Sequence, residues 1–242
     1  MPPGADIADN LQAVRRRIDA AAQRAGRLPS DITLIAVSKT FGPEHVRLAA
    51  ATGVRAFGEN RVQESLQKID ALQDLELDWH LIGHLQSNKA RRAAGAFRWI
   101  QSVDRLDLLD KLDRGALDAG VRPHILIQVD LAREATKHGA DVDAVLPLAT
   151  AAVERKGVDL RGLMIVPPYP EHPEESRPWF RRLRELRDRL VENGLPVERL
   201  AHLSMGMSHD FEVAIEEGAT IVRVGTAIFG VRPAREEPAA LS

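Results

Sequence analysis

The feature that most constrains this chain is an alternation sustained from residue 33 to residue 229. Short apolar, β-branched runs are separated by longer charged, amphipathic stretches. The runs number eight, at 33–39, 55–59, 79–84, 99–103, 124–131, 160–167, 201–205 and 221–229, with helix-like stretches between them at 43–51, 62–71, 88–94, 105–119, 142–156, 174–192 and 210–217. Pro43 sits at a first-turn position, and Gly120, Gly157 and Gly218 fall just past helix ends, as start and stop signals should. Strand and helix in strict alternation build a parallel sheet, because each crossover must return the chain across one face. Eight repeats predict closure into a (β/α)8 TIM barrel. Ahead of them Ile7, Leu11, Val14, Ile18 and Ala22 recur at helical spacing and Gly26 follows as a stop, so an extra N-terminal helix is expected within residues 1–28. The rival fold is an open doubly wound sheet, which usually carries a glycine-rich nucleotide loop after its first strand. No G-x-G-x-x-G follows Lys39.

Length and composition agree with one barrel. The 242 residues are close to the roughly 250 typical of the fold, and one domain is expected over 1–242, with a charged, Ala-rich, flexible tail at 234–242. Hydrophobic residues at 44% permit a large core, which aromatics at 4% make aliphatic. Lys plus Arg at 33 against Asp plus Glu at 35 removes the electrostatic footprint of a general nucleic-acid binder and leaves anionic small molecules open. With no cysteine there is no disulfide framework, thiolate metal site or cysteine nucleophile. Neither a secretory leader at Met1 to Asn10 nor an apolar stretch long enough to span a bilayer is visible, so a soluble, cytoplasmic protein is expected.

In such barrels the chemistry lies at the C-terminal ends of the strands. The first run places Ile35, Val37 and Lys39 on one period-two face. If that face lines the lumen, desolvation favours the neutral amine, the form that condenses with a carbonyl. Otherwise Lys39 is an ordinary loop lysine. The last run sets Arg223 inside a strand of β-branched residues, where an unpaired charge is costly and needs a partner. Gly225 shares its face. The amides around Gly225 and Thr226, with Ser204, Gly206 and Ser208 from the preceding loop, lie where barrels of this kind bind phosphate. Ser208 equally suits a helix cap before Asp210. Met205 and Met207 suit packing or an adaptable pocket wall.

Other strand ends are polar: Glu59 and Asn60, His84, Gln101 and Ser102, Gln128 and Asp130. His80 and His84 are four apart on a strand, without a carboxylate cluster, so no metal site is expected. The proline-rich stretch 167–173 reads as a loop at the barrel mouth. A Schiff-base lysine, a phosphate cradle and a buried arginine together match pyridoxal 5'-phosphate, whose aldehyde, phosphate and pyridine nitrogen need separate partners.

The strings Ala36-Val37-Ser38-Lys39-Thr40, Phe57-Gly58-Glu59-Asn60, His80-Leu81-Ile82-Gly83-His84-Leu85-Gln86-Ser87-Asn88-Lys89, Ser204-Met205-Gly206-Met207-Ser208 and Arg223-Val224-Gly225-Thr226 resemble the pyridoxal phosphate homeostasis protein family. They occur in the family's order from about residue 30 to 232. The resemblance implies a fold-type III barrel related to the N-terminal domain of alanine racemase, with the cofactor held as a Schiff base on Lys39. It further implies Arg223 as partner of the pyridine nitrogen, Ser204, Gly225 and Thr226 around the phosphate, and Asn60 and Met205 beside the ring. Lys137 falls where the family usually has a lysine before a small residue and glycine, but His138 replaces that small residue here. Ile165 stands where alanine is more usual.

The function implied is storage, buffering or delivery of the cofactor by a monomer without robust catalytic activity, in transient contact with apo-enzymes that use it. A racemase of the alanine type is the alternative, and needs a second base for which Tyr169, the only tyrosine, is the candidate. A cofactor-free Schiff-base aldolase commonly has its lysine on a later strand, and the sixth run, 160–167, has none.

Overall fold

A computed structural model of the chain describes residues 3–132 and 138–230, with side chains from residue 6. Lys137 and the tail expected at 234–242 lie outside the described residues. Nine strands are present among them: β1 (Thr33–Val37), β2 (Ala56–Glu59), β3 (Asp78–Leu81), β4 (Trp99–Val103), β5 (His124–Asp130), β6 (Ala140–Asp141), β7 (Asp159–Met164), β8 (His202–Met207) and β9 (Ile221–Val224). All but β6 form a closed parallel barrel, in which β1 pairs with both β2 and β9, and β4 with β5. The helices are α1 (Pro3–Arg24), α2 (Pro43–Ala51), α3 (Val62–Asp70), α4 (Ala90–Ala96), α5 (Leu106–Ala119), α6 (Val142–Glu154), α7 (Arg177–Glu192), α8 (Phe211–Glu216) and α9 (Thr226–Phe229). Among the described residues no helix is long and apolar enough to cross a membrane.

The expected eightfold alternation is therefore the architecture, with differences at its edges. β6 is two residues paired to Val129 and Asp130 outside the ring, too short to leave a periodic signal. The last apolar run divides: β9 stops at Val224, and the amides of Ile228 and Phe229 turn back to the Gly225 carbonyl, both at 2.9 Å, making α9. One buried turn of helix is as apolar as a strand, so hydrophobicity alone did not separate them.

Two apolar compartments follow from the period-two alternation. Ile35 and Val37 face the lumen with Leu126, Met164 and Ile221, while Ala36 between them belongs to the larger layer packed under the helices. Helix α1 joins that layer through Ile7, Leu11, Val14, Ile18 and Ala22, all buried. It is tied to the far end of the chain by Arg17, bidentate to Glu212 at 2.8 and 2.7 Å, and by Asn10 donating to the carbonyl of Ile228, while Arg27 just beyond it donates to the carbonyls of Ile215 and Ala219.

The lumen also holds a directed chain of hydrogen bonds. Arg223 Nη1 donates to Ser204 Oγ at 2.7 Å, Ser204 Oγ donates to Gln101 Oε1 at 2.7 Å, and Gln101 Nε2 meets His80 Nδ1 at 3.0 Å. A chain that begins on a guanidinium, which only donates, must end on an acceptor, so His80 is neutral and accepts at Nδ1. Burial pushes the His80 imidazole down to about 3, with the positive surroundings of His124, Arg98 and His202 adding to the effect. Its ring stacks on Trp99 with centroids 5.4 Å apart.

Two predictions follow from this interior. Gly162 on β7 has φ +154, and an added Cβ would overlap the His202 carbonyl oxygen of the neighbouring strand. Gly162→Ala should cost at least ~3 kcal/mol in urea unfolding, whereas Gly26→Ala, with open space around it, should cost about 1 kcal/mol. For His80, the unfolded imidazole binds a proton near its ordinary 6.5 and the folded one only near 3, so the unfolded state takes up more protons between these values. The stability present above pH 6.5 should fall as pH drops through that window, by up to about 5 kcal/mol. Denaturation midpoints of His80→Gln should show a shallower fall, and equal slopes for the two proteins would exclude His80 as the cause.

Candidate functional site at the barrel mouth

Lys39 is the second residue beyond β1, and its neighbours on either side are fixed. Ser38 is fully buried and donates to Glu59 Oε1 at 2.6 Å. Lys68 of α3 reaches the same oxygen at 2.5 Å and the Ser38 carbonyl at 2.9 Å. Glu59 and Lys68 are 2% and 9% exposed. In this dry setting the two charges answer each other and the hydroxyl takes part, the condition under which a buried pair is tolerated. On the other side Thr40 has φ 75, the single positive value among the described non-glycine residues. A β-branched residue held there costs on the order of 1–3 kcal/mol, and such outliers gather at functional sites. Lys39 thus leaves the barrel between a braced serine and a forced turn.

A cavity of about 540 Å³ opens at this point, within the usual size of a small-molecule site. Lys39, Val37 and Ile82 line one side, Arg223, Gly225, Thr226 and Ala227 another, and Met207, Ser208 and His209 with Tyr169 the rim. Four of the residues expected from the sequence, Lys39, Arg223, Gly225 and Thr226, are brought together here. Arg223 is 4% exposed, and burial pushes its guanidinium down to about 10, so it stays charged at neutral pH. Its Nη2 donates to the Ile165 carbonyl at 2.8 Å, and among the described residues no carboxylate forms an ion pair with it. An acceptor or anion in the cavity would meet a cation already held in place.

The other three lie elsewhere. Ser204 sits below the cavity as the link between Arg223 and Gln101. Met205 points into the layer shared with the helices, and Met207 takes its place at the cavity. Asn60 lines a neighbouring recess of about 410 Å³ with Arg61, His84 and Lys89. The cause for the two β8 residues is an irregularity in the β8–β9 register between Ser204 and Met207, where Gly206 has φ +90 and a Cβ would approach Ala214 Cβ to 2.5 Å. That irregularity delivers Ser208 to the mouth. The amides of Gly225 and Ala227 point at Ser208 Oγ, at 3.2 and 3.4 Å, and Gly225 permits this turn close to Val37, whose carbonyl would lie 3.3 Å from a Cβ. Asp210 organises the loop by accepting from the Met207 amide and the Ser176 hydroxyl, both at 2.7 Å. Two amides and a hydroxyl converging beside a glycine are the donor set a phosphate group requires, and the guanidinium suits a ring acceptor. The residues present therefore fit pyridoxal 5'-phosphate.

Residues 10–233 match the family model described as "Alanine racemase, N-terminal domain". The pyridoxal phosphate homeostasis protein of Aquifex aeolicus is 47% identical over 224 residues, covering 93% of this chain and 97% of that protein. That of Pseudomonas aeruginosa is 45% identical over 227 residues, covering 93% and 96%. Among solved structures, PipY of Synechococcus elongatus PCC7942 with PLP bound superimposes with a TM-score of 0.82 at 40% identity, over 93% of this chain and 100% of that one. With a family model spanning nearly the whole fold and relatives this similar along their full length, the chain belongs to the pyridoxal phosphate homeostasis protein family.

Proposed function

We propose that this chain binds pyridoxal 5'-phosphate in the mouth cavity and stores, buffers or delivers it. The observation that carries the reading is that a lysine, a buried arginine with no ion-paired carboxylate among the described residues and a hydroxyl-and-amide cradle open into one cavity. The names of the relatives, and the PLP-bound PipY structure, support it. When bound, the cofactor supplies an aldehyde that condenses with a neutral primary amine, releasing water. Lys39 is the residue for that role, presented by the Ser38 brace and the Thr40 turn. Ser208 and the amides of Gly225 to Ala227 hold the phosphate, and Arg223 donates to the ring nitrogen.

The same arginine argues for carriage over turnover. A guanidinium at the ring nitrogen is a permanent donor, leaving that nitrogen unprotonated and the ring a weak sink for electrons. Tyr169, the candidate second base, is 79% exposed and packs against His209, so it stands in water rather than over a sealed site. We place the protein in the cytoplasm as a monomer that meets apo-enzymes transiently.

The test is borohydride reduction of the loaded protein followed by peptide mapping, with an amino acid racemisation assay on the same sample. Modification at Lys39 without turnover is expected; sustained turnover would replace carriage with catalysis. Lys39→Ala should abolish the reducible adduct and weaken cofactor binding ~10–100-fold while leaving phosphate-anchored affinity, as equilibrium dialysis would show. Ser208→Ala should weaken binding of pyridoxal 5'-phosphate about fivefold, one neutral hydrogen bond's worth, and leave unphosphorylated pyridoxal unaffected. Ser204→Ala should weaken both ligands, because it acts by loosening Arg223. The reverse pattern would move the phosphate to Ser204.

A further inference from the structure

The ends of three successive barrel strands bring together a group of side chains that the cofactor site does not use. His84 follows β3, Asp104 follows β4, and His138 lies between β5 and β6. We infer that His84, Asp104 and His138 form a binding site for a divalent cation of the zinc class at the rim of the barrel. None of the three lines the mouth cavity, and the inference does not rest on the function proposed above.

The donor set is the first argument. Two imidazoles and one carboxylate are a combination that selects zinc and its borderline neighbours over magnesium or calcium, which want oxygen alone. Three protein ligands leave one tetrahedral position for water or an exogenous group. Proximity is the second. One ligand atom from each residue lies within 4.8 Å of the other two, and atoms sharing a tetrahedral zinc ion stand ~3.4 Å apart, as bonds of about 2.1 Å require. The rings of His84 and His138 are face to face with centroids 3.6 Å apart, and Asp104 Oδ2 is 3.9 Å from His84 Nδ1. Both residues are exposed, which gives the rings room to turn their nitrogens toward a shared ion.

The backbone beneath the cluster is fixed, which is the third argument. Ser102 donates to the Gly83 carbonyl at 2.7 Å, joining the ends of β3 and β4. Gly83 packs so closely on the Asn60 backbone that a Cβ would overlap its carbonyl oxygen, which sets where His84 leaves the strand. Gln128 Nε2 donates to the His138 carbonyl at 2.6 Å, anchoring the third ligand to β5. Arg105 holds Asp104 Oδ1 at 2.6 Å and leaves Oδ2 toward His84. A carboxylate oriented by an outer partner is the usual support of a metal ligand, although the guanidinium charge opposes a cation and keeps affinity moderate.

The test uses tag-free full-length protein, freed of metal with a chelator and titrated with zinc chloride by calorimetry near neutral pH. One zinc ion per chain is expected, with His84→Ala and His138→Ala each weakening binding at least ~10-fold and Asp104→Asn weakening it several-fold. Cobalt substitution should give the intense visible bands of a tetrahedral site, lost in the same variants. Circular dichroism and an unchanged urea-unfolding midpoint would confirm that the variants are folded. Absence of saturable zinc binding, or variants that bind zinc as the parent does, would overturn the inference.

Discussion

A guanidinium buried in a barrel, with no carboxylate ion-paired to it among the described residues, sets the terms for its surroundings. Arg223 is accommodated because each proton it directs into the interior meets an acceptor, the Ser204 hydroxyl and the Ile165 carbonyl. The hydroxyl must then pass its own proton on, and the sequence of donors continues through Gln101 to His80. Truncating any member strands a buried polar group, and such a loss costs more than one ordinary hydrogen bond. The requirement that Ser204 face inward also turns Met205 outward, and the irregularity at Gly206 then re-aims the chain so that Met207 and Ser208 reach the mouth. The placement of Ser208 against the Gly225 and Ala227 amides is thus a consequence of how the arginine is satisfied.

Much of this was legible from one property, the alternation of side chains along a strand. It set Lys39 on the face of Ile35 and Val37 and set Arg223 in the last strand, and the barrel's register places Ile35 directly opposite Arg223. The irregularity on β8 was less legible: it breaks the period-two count, and nothing in 204–208 except Gly206 marks it, so the sequence left Ser204 and Ser208 together as candidates near the mouth. Asn60, set beside the ring by resemblance, lines the neighbouring recess. The partnership of Lys68 with Glu59 was unreadable for another reason. A lysine on an amphipathic helix is ordinarily solvated, and its burial depends on a carboxylate nine residues earlier that folding alone brings beneath it. His84 and His138 are separated by two barrel strands, so the sequence did not reveal their contact.

The surroundings of Lys39 illustrate how a barrel can hold a flexible side chain in a defined place. The lysine is bounded by Ser38, immobilised through two charged residues, and by Thr40, whose backbone is held in a conformation it would not choose. Neither neighbour needs to touch the ligand. Together they restrict the directions in which a four-carbon chain can leave the strand, which lowers the entropy lost on fixing its amine in any one place.

The attachment of α1 has a consequence for how the protein is made. Its partners Glu212, Glu216 and Ile228 lie 192 to 218 residues further along the chain. At the ordinary pace of about 5–20 residues per second, the apolar stripe of Ile7, Leu11, Val14 and Ile18 waits on the order of 10–40 s at the ribosome before the surface that covers it has been synthesised. An element made before the whole barrel is among the last to be docked. During that interval the nascent chain presents a sticky helix to the cell, and factors that shield exposed apolar segments during translation have their natural foothold there.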